Sequence, residues 1–377
     1  MTDLTSPILL LRPQQIEFGI GQAGAVGRWA STAGFTRTLV VADAFNADRI
    51  DVLKLPGAVS VFSKISAEPE IADLELLLGV ARGAPFDLVV GFGGGSAMDL
   101  AKLAAALIDE VGDIHDFVGA GKIATRRRIG LAQLPTTAGT GSEVGIRALV
   151  TDPETSAKLA VESVQMLADF VAIDPALTFS VPPKVTAATG IDAMAHCVEA
   201  YTSRKAHPII DFYAVEGIRL VGRYLGRAVR DGEDAEARAA LSLAALYGGY
   251  CLGPVNTAGG HALSYPLGTD WKIPHGAANA LIFPHVLAFN APAVADKTRL
   301  VLEALGCNGS TDPDAVLAEA HGFCSGLGLQ MKLSEWGVDP ASLPKMARAA
   351  VQIRRLLDNN PRELTEPDIL AIYETSA

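Results

Sequence analysis

The chain has 377 residues, 49% of them hydrophobic and 19% charged, with a net charge of −11. Such a length and apolar content suit two globular domains. Acidity with no compensating basic block argues against nucleic acid and anionic membranes as partners.

The first half alternates short β-branched runs with helical stretches. Strands are expected over 38–42, 59–62, 87–91, 130–134, 146–151 and 170–173, and helices over 23–33, 71–84 and 96–108. That alternation favours a parallel sheet covered on both faces. Asp43 follows the strand LVVAD, where an acid can accept hydrogen bonds from ribose hydroxyls and repel a 2′-phosphate. It can equally serve a local turn. In DLVVGFGGGSAMDLAK (87–102) an apolar strand runs into Gly93, Gly94, Gly95 and Ser96 and then into a helix. Glycines let the backbone approach a ligand, and the helix start offers unpaired N–H groups that suit a pyrophosphate. The run Arg126, Arg127, Arg128 reads as a solvated loop. A second polar loop, LPTTAGTGSE (134–143), presents Thr136, Thr137, Thr140 and Ser142, hydroxyls that can contact a nucleotide or cap a helix.

After SVPPK (180–184) the chain becomes rich in Ala, Leu and Arg, with helices expected over 185–201, 209–230, 235–252, 277–290, 314–327 and 340–351. Residues 239–269 carry no Asp, Glu, Lys or Arg, but glycines, Pro254, Asn256 and His261 interrupt them. A buried helix followed by a polar loop fits better than a membrane span. The division is therefore an α/β domain over 1–180 and an all-helical domain over 181–377. Cys197, Cys251, Cys307 and Cys324 form no CxxC pair, so reduced thiols are expected, with Cys197 as a packing residue. No basic segment followed by an apolar one opens the chain, which points to the cytoplasm.

In GIDAMAHCVEAY (190–201) Asp192 and His196 stand four apart, on one face of a helix, where a carboxylate and an imidazole can share a cation. His261 and His275 lie in glycine- and proline-flanked segments expected to be turns at helix edges. Five of the seven histidines fall between residues 192 and 285, a clustering that packing does not require. Asp192, His196, His261 and His275 make a plausible four-ligand site, and His285, beside Pro284, reads as structural.

The motifs GGGSAMDLAK, LPTTAGTGSE, TGIDAMAHCVEAY and HALSYPLG…IPHGAANALIFPH, in this order over roughly residues 18–290, resemble the iron-containing (group III) alcohol dehydrogenases. The resemblance implies a Rossmann-like dinucleotide-binding domain followed by a helical metal-binding domain, the dehydroquinate synthase-like plan, with the active site between them and a homodimeric assembly. It implies Asp192, His196, His261 and His275 as metal ligands. Gly94, Gly95, Ser96 and Asp99 map to the pyrophosphate loop, and Thr136, Thr137, Thr140 and Ser142 to the nicotinamide side. Lys158 maps to the cofactor ribose, and Asp43 to the acid that favours NAD over NADP. The metal expected is Fe²⁺, with Zn²⁺ as the alternative that the affinity order favours. The chemistry implied is hydride transfer between a small alcohol or aldehyde and the nicotinamide, the metal acting as Lewis acid on the oxygen.

Three positions depart from the family pattern. Tyr265 stands where many members carry a second histidine assigned to proton relay. Glu68-Pro69-Glu70-Ile71 replaces a Pro-Asn-Pro segment. Arg147 replaces an uncharged residue and is a candidate contact for an anionic group on the substrate. Two rival readings share the scaffold: a non-redox, dehydroquinate synthase-like enzyme and a metal-free, maleylacetate reductase-like enzyme.

Overall fold

A computed structural model describes residues 4–155 and 157–377. The chain divides into two compact units, one comprising residues 11–137 and 141–179, the other residues up to Leu10, 138–140 and 180–377. The boundary expected at 180 separates most of the chain. Residues 4–10, however, count with the helical unit, where Ile8 and Leu10 pack against its core.

The first unit contains nine strands, β1 (Gln15–Phe18), β2 (Arg37–Ala42), β3 (Ala58–Phe62), β4 (Leu88–Gly93), β5 (Gly119–Ala120), β6 (Gly130–Pro135), β7 (Arg147–Asp152), β8 (Ala157–Glu162) and β9 (Phe170–Ile173). Six make a parallel sheet in the order β1-β9-β6-β4-β2-β3. Strand β4, LVVGFG, is buried along its whole length and shows no polar alternation, as a central parallel strand covered on both faces should. The helices here are α1 (Ala25–Ala33), α2 (Ala44–Ala47), α3 (Ile71–Arg82) and α4 (Gly95–Leu107). The chain leaves β2 for β3 on one side, then crosses back over β2 to β4 and continues to β6. The sheet order therefore reverses between β2 and β4, and in open α/β sheets ligands settle beyond the carboxyl ends of such a strand pair.

The run expected as a strand over 146–151 forms, but outside this sheet. It is β7 of a three-stranded sheet ordered β5-β8-β7, antiparallel to β8.

The second unit is helical: α5 (Pro183–Thr202), α6 (Pro208–Arg230), α7 (Ala235–Leu252), α8 (Gly259–Trp271), α9 (His275–Asn290), α10 (Ala295–Ala304), α11 (Pro313–Ser325), α12 (Leu343–Val351), α13 (Arg354–Leu357) and α14 (Glu366–Thr375). Pro183 is the first residue of α5, a position where the missing N–H costs nothing. One apolar core gathers Ile191, Met194, Ile218, Val221 and Leu241 from α5, α6 and α7, and a second gathers residues of α8, α9, α12 and α14. Cys197 is buried in the first core and free, against Gly217 of α6, where a Cβ would come within 2.5 Å of its sulfur. The uncharged stretch is α7 and α8, and no helix among the described residues is long and apolar enough to cross a membrane.

Candidate functional site

The glycine loop lies at the sheet reversal. Gly94 is the N-cap of α4 and offers no side chain to the free N–H groups of that helix's first turn. A Cβ on Gly94 would meet nothing nearer than Thr137 Oγ1 at 3.6 Å. Uncapped donors beside open space are what a pyrophosphate requires, so these residues fit a dinucleotide. Asp43 ends β2, next door: a Cβ on Gly93 would stand 3.1 Å from its Oδ2. It also caps α2, accepting from the Asn46 backbone N–H at 3.0 Å and the Asn46 amide at 2.6 Å. The same amide reaches buried Thr136 at 3.3 Å, linking the ends of β2 and β6.

Several residues expected to touch cofactor already hold the fold. Asp99 accepts from Ser142 Oγ, from the Leu149 N–H at 2.9 Å and from buried Lys102 at 2.9 Å. It ties α4 to the end of LPTTAGTGSE. Ser96 Oγ donates to the Ala67 carbonyl at 2.6 Å. Lys158 on β8 is ion-paired with Glu68, one of the residues in place of the family's Pro-Asn-Pro. Thr140 belongs with the helical unit, unlike Thr136, Thr137 and Ser142.

The metal candidates come from three helices. Asp192 and His196 share a face of α5 one turn apart. His261 lies in the first turn of α8, and His275 opens α9. Both were expected in turns. The helix around His261 forms despite Gly259, Gly260 and Pro266 because Leu263 and Leu267 anchor it in the second core. Ligand atoms of Asp192, His261 and His275 all lie within 4.8 Å of one another. His196 stands beside this trio rather than within that radius. Its Nε2 is 3.8 Å from Asp192 Oδ1, its ring stacks on His261 with centroids 4.8 Å apart, and its buried Nδ1 has no hydrogen-bond partner among the described residues. Ligand atoms of two buried residues and one half-buried residue, converging beside a fourth, buried imidazole, fit a divalent cation. His285 lies elsewhere on α9, buried, its pKa lowered by burial to about 4.

Electrostatics follow from that packing. Burial would raise the Asp192 carboxyl, but His196, His275 and His261 hold it well below the usual carboxylate range. Burial lowers His196 to about 4. Burial also disfavours charge on His261, yet the carboxylates of Glu199 and Asp192 win and push it up to about 10. At neutral pH these directions leave His196 neutral and His261 charged in the metal-free chain, and a cation would displace the His261 proton from Nε2.

Two members were not foreseen. Glu199, on the Asp192 face of α5, places Oε1 2.8 Å from His261 Nδ1. Asn279, four residues after His275 on α9, directs its amide nitrogen to Asp192 Oδ1 at 2.7 Å, His261 Nε2 at 3.1 Å and His275 Nε2 at 3.2 Å. Helical spacing alone put both on ligand-bearing faces, but only tertiary contact gives them a task.

The departures resolve differently. Arg147 Nε and Nη2 donate to Glu162 Oε2, at 3.0 and 2.6 Å, across the β7–β8 ladder. This guanidinium has a carboxylate partner already within its own sheet. Tyr265 stays near the metal candidates, its ring 6.1 Å from that of His275. The Arg355 guanidinium donates to its hydroxyl at 3.2 Å and lies over its ring. Among the described residues no carboxylate pairs with Arg355.

A parallel sheet with an anion-ready helix start, in one chain with an Asp/His cluster on helices, defines a nucleotide- and metal-dependent enzyme. Residues 13–175 match the iron-containing alcohol dehydrogenase family and residues 186–377 the C-terminal part of the Fe-containing alcohol dehydrogenase family, and the chain belongs to this family. Long-chain-alcohol dehydrogenase 1 of Geobacillus thermodenitrificans is 40% identical over 85% of this chain and 82% of its own. Among solved structures, a 1,3-propanediol oxidoreductase superposes with TM-score 0.93 at 30% identity, covering 99% of this chain and all of the other. Sulfoacetaldehyde reductase from Bifidobacterium kashiwanohense in complex with NAD⁺ gives TM-score 0.88 at 30% identity, covering 99% of each.

Proposed function

We propose that the chain interconverts a small primary alcohol and its aldehyde with NAD, using a divalent metal. The observation that carries this is the convergence of Asp192, His261 and His275 within 4.8 Å. A cation held by these residues and His196, Fe²⁺ first and Zn²⁺ as alternative, would supply Lewis acidity toward the substrate oxygen. NAD, seated on Gly94, Gly95 and the start of α4, would exchange the hydride, with Asp43 favouring it over NADP. Thr136, Thr137, Thr140 and Ser142 of the second loop would meet the nicotinamide side, Asp99 tying that loop to α4 through Ser142, and Lys158 would meet the cofactor ribose. Tyr265, its ring 6.1 Å from that of His275, would be the group to relay the hydroxyl proton. No side chain needs to act as a nucleophile. The relationship to sulfoacetaldehyde reductase brings aldehydes with an anionic group into the substrate class, and a cytoplasmic homodimer completes the reading.

The test is a panel of alcohols and aldehydes with metal-stripped protein reloaded separately with Fe²⁺ and Zn²⁺. Nicotinamide absorbance should change in step with product, and exhaustive chelation should abolish turnover. Product without net nicotinamide change would point to synthase-like chemistry, and activity surviving chelation to the metal-free reductase reading.

A further inference from the structure

Helix α8 carries a metal-ligand candidate in its first turn but has no cap of its own: its N-cap is Ala258, which has no polar side chain. The first turn of any helix leaves N–H groups unsatisfied, and burial makes them costly. Here a carboxylate from another helix supplies what the local sequence lacks. Buried Glu199 accepts the Ala258 N–H on Oε2, and on Oε1 the His261 N–H at 3.1 Å, with His261 Nδ1 2.8 Å from that same oxygen. The room for this is made by Gly260, where a Cβ would stand 2.5 Å from Glu199 Oε1. Gly260 thus admits the carboxylate, while a Cβ on Gly259 would stand 2.5 Å from Leu364 and 2.9 Å from Asn360 Oδ1.

We infer that Glu199 is a positioning residue for the metal site: it aims His261 through both backbone and ring. An ionised carboxylate can only accept, so it keeps the ring hydrogen on Nδ1 and leaves Nε2, the atom facing Asp192 at 3.5 Å, with its lone pair for a cation. An amide in its place can keep its oxygen for the Ala258 N–H while turning its NH₂ toward Nδ1, at the cost of the acceptor that the His261 N–H had on Oε1. The imidazole would then carry its hydrogen on Nε2, where it blocks a metal.

The inference rests on the metal reading above, and two variants test it. Metal affinity is measured by chelator competition with Zn²⁺, the coordination geometry by the visible spectrum of Co²⁺-loaded protein, and folding by the thermal midpoint of the metal-free protein. Glu199→Gln should weaken Zn²⁺ binding by about 10- to 100-fold and alter the Co²⁺ spectrum, with a lower metal-free midpoint because the buried His261 N–H loses its acceptor. Gly260→Ala, which pushes the carboxylate away without removing it, should weaken Zn²⁺ binding in the same direction. Unchanged affinity and Co²⁺ spectrum in both variants, with or without a lower midpoint, overturns the inference and leaves Glu199 as a helix cap only. Failure of the wild-type protein to bind Zn²⁺ or Co²⁺ would instead sink the metal reading itself.

Discussion

Glu143 closes the second polar loop and is buried, and it carries a measurable pH signature. Burial pushes its carboxyl up from the ordinary 4.5 to about 7, against the opposing pull of its own backbone N–H and of the Lys102 charge. The folded chain therefore binds this proton more tightly than the unfolded chain does. Stability from the protonated group is fully present below pH 4.5 and is lost as pH rises through 7. The span between the two values corresponds to roughly 3 kcal/mol at alkaline pH. Glu143→Gln keeps the shape and removes the titration. Denaturant midpoints of metal-free wild type and variant, followed by circular dichroism across this range, should diverge between pH 4.5 and 7 and stay apart above it. The variant should be the more stable by up to roughly 3 kcal/mol at high pH. Parallel curves would refute the assignment, because they would mean that Glu143 ionises freely through water or a moving loop.

Four further outcomes are expected. Gly94→Val fills the space beside Thr137 at the start of α4, so NADH binding followed by fluorescence should weaken at least about tenfold, while Zn²⁺ affinity is unchanged. Tyr265→Phe removes the hydroxyl that Arg355 holds at 3.2 Å. If that hydroxyl passes the proton, kcat should fall about 100-fold in steady-state assays, whereas an unchanged kcat would show that another group, or water, does the work. Arg147→Ala should change kcat/KM for neutral and anionic aldehydes by the same factor, because Glu162 already holds the guanidinium. Arg355→Ala should lower kcat/KM for a sulfonate-bearing aldehyde about tenfold more than for a neutral one.

What could be read from the chain depended on how local each determinant is. Buried parallel strands such as Leu88–Gly93 advertise themselves by unbroken apolar runs, and Asp192 and His196 by their spacing on one helix. Strand β8, AKLAVE, mixes polar and apolar residues on a half-exposed sheet and shows no such signal. With β8 unseen, Arg147 looked available for a substrate anion, since its partner Glu162 is its register neighbour on that strand. Helix α8 was hidden for a related reason. Gly259, Gly260 and Pro266 argue against a helix, and the acid that caps it comes from α5, 62 residues from His261. Residue type states which chemistry a side chain can perform, and spacing states which face it occupies. Whether a guanidinium or carboxylate is still free for a ligand depends on a partner elsewhere in the chain. A carboxylate is already in place at both Arg147 and His261: at the first it occupies the guanidinium, and at the second it meets only Nδ1, which on the inference above orients the ring and leaves the second nitrogen open.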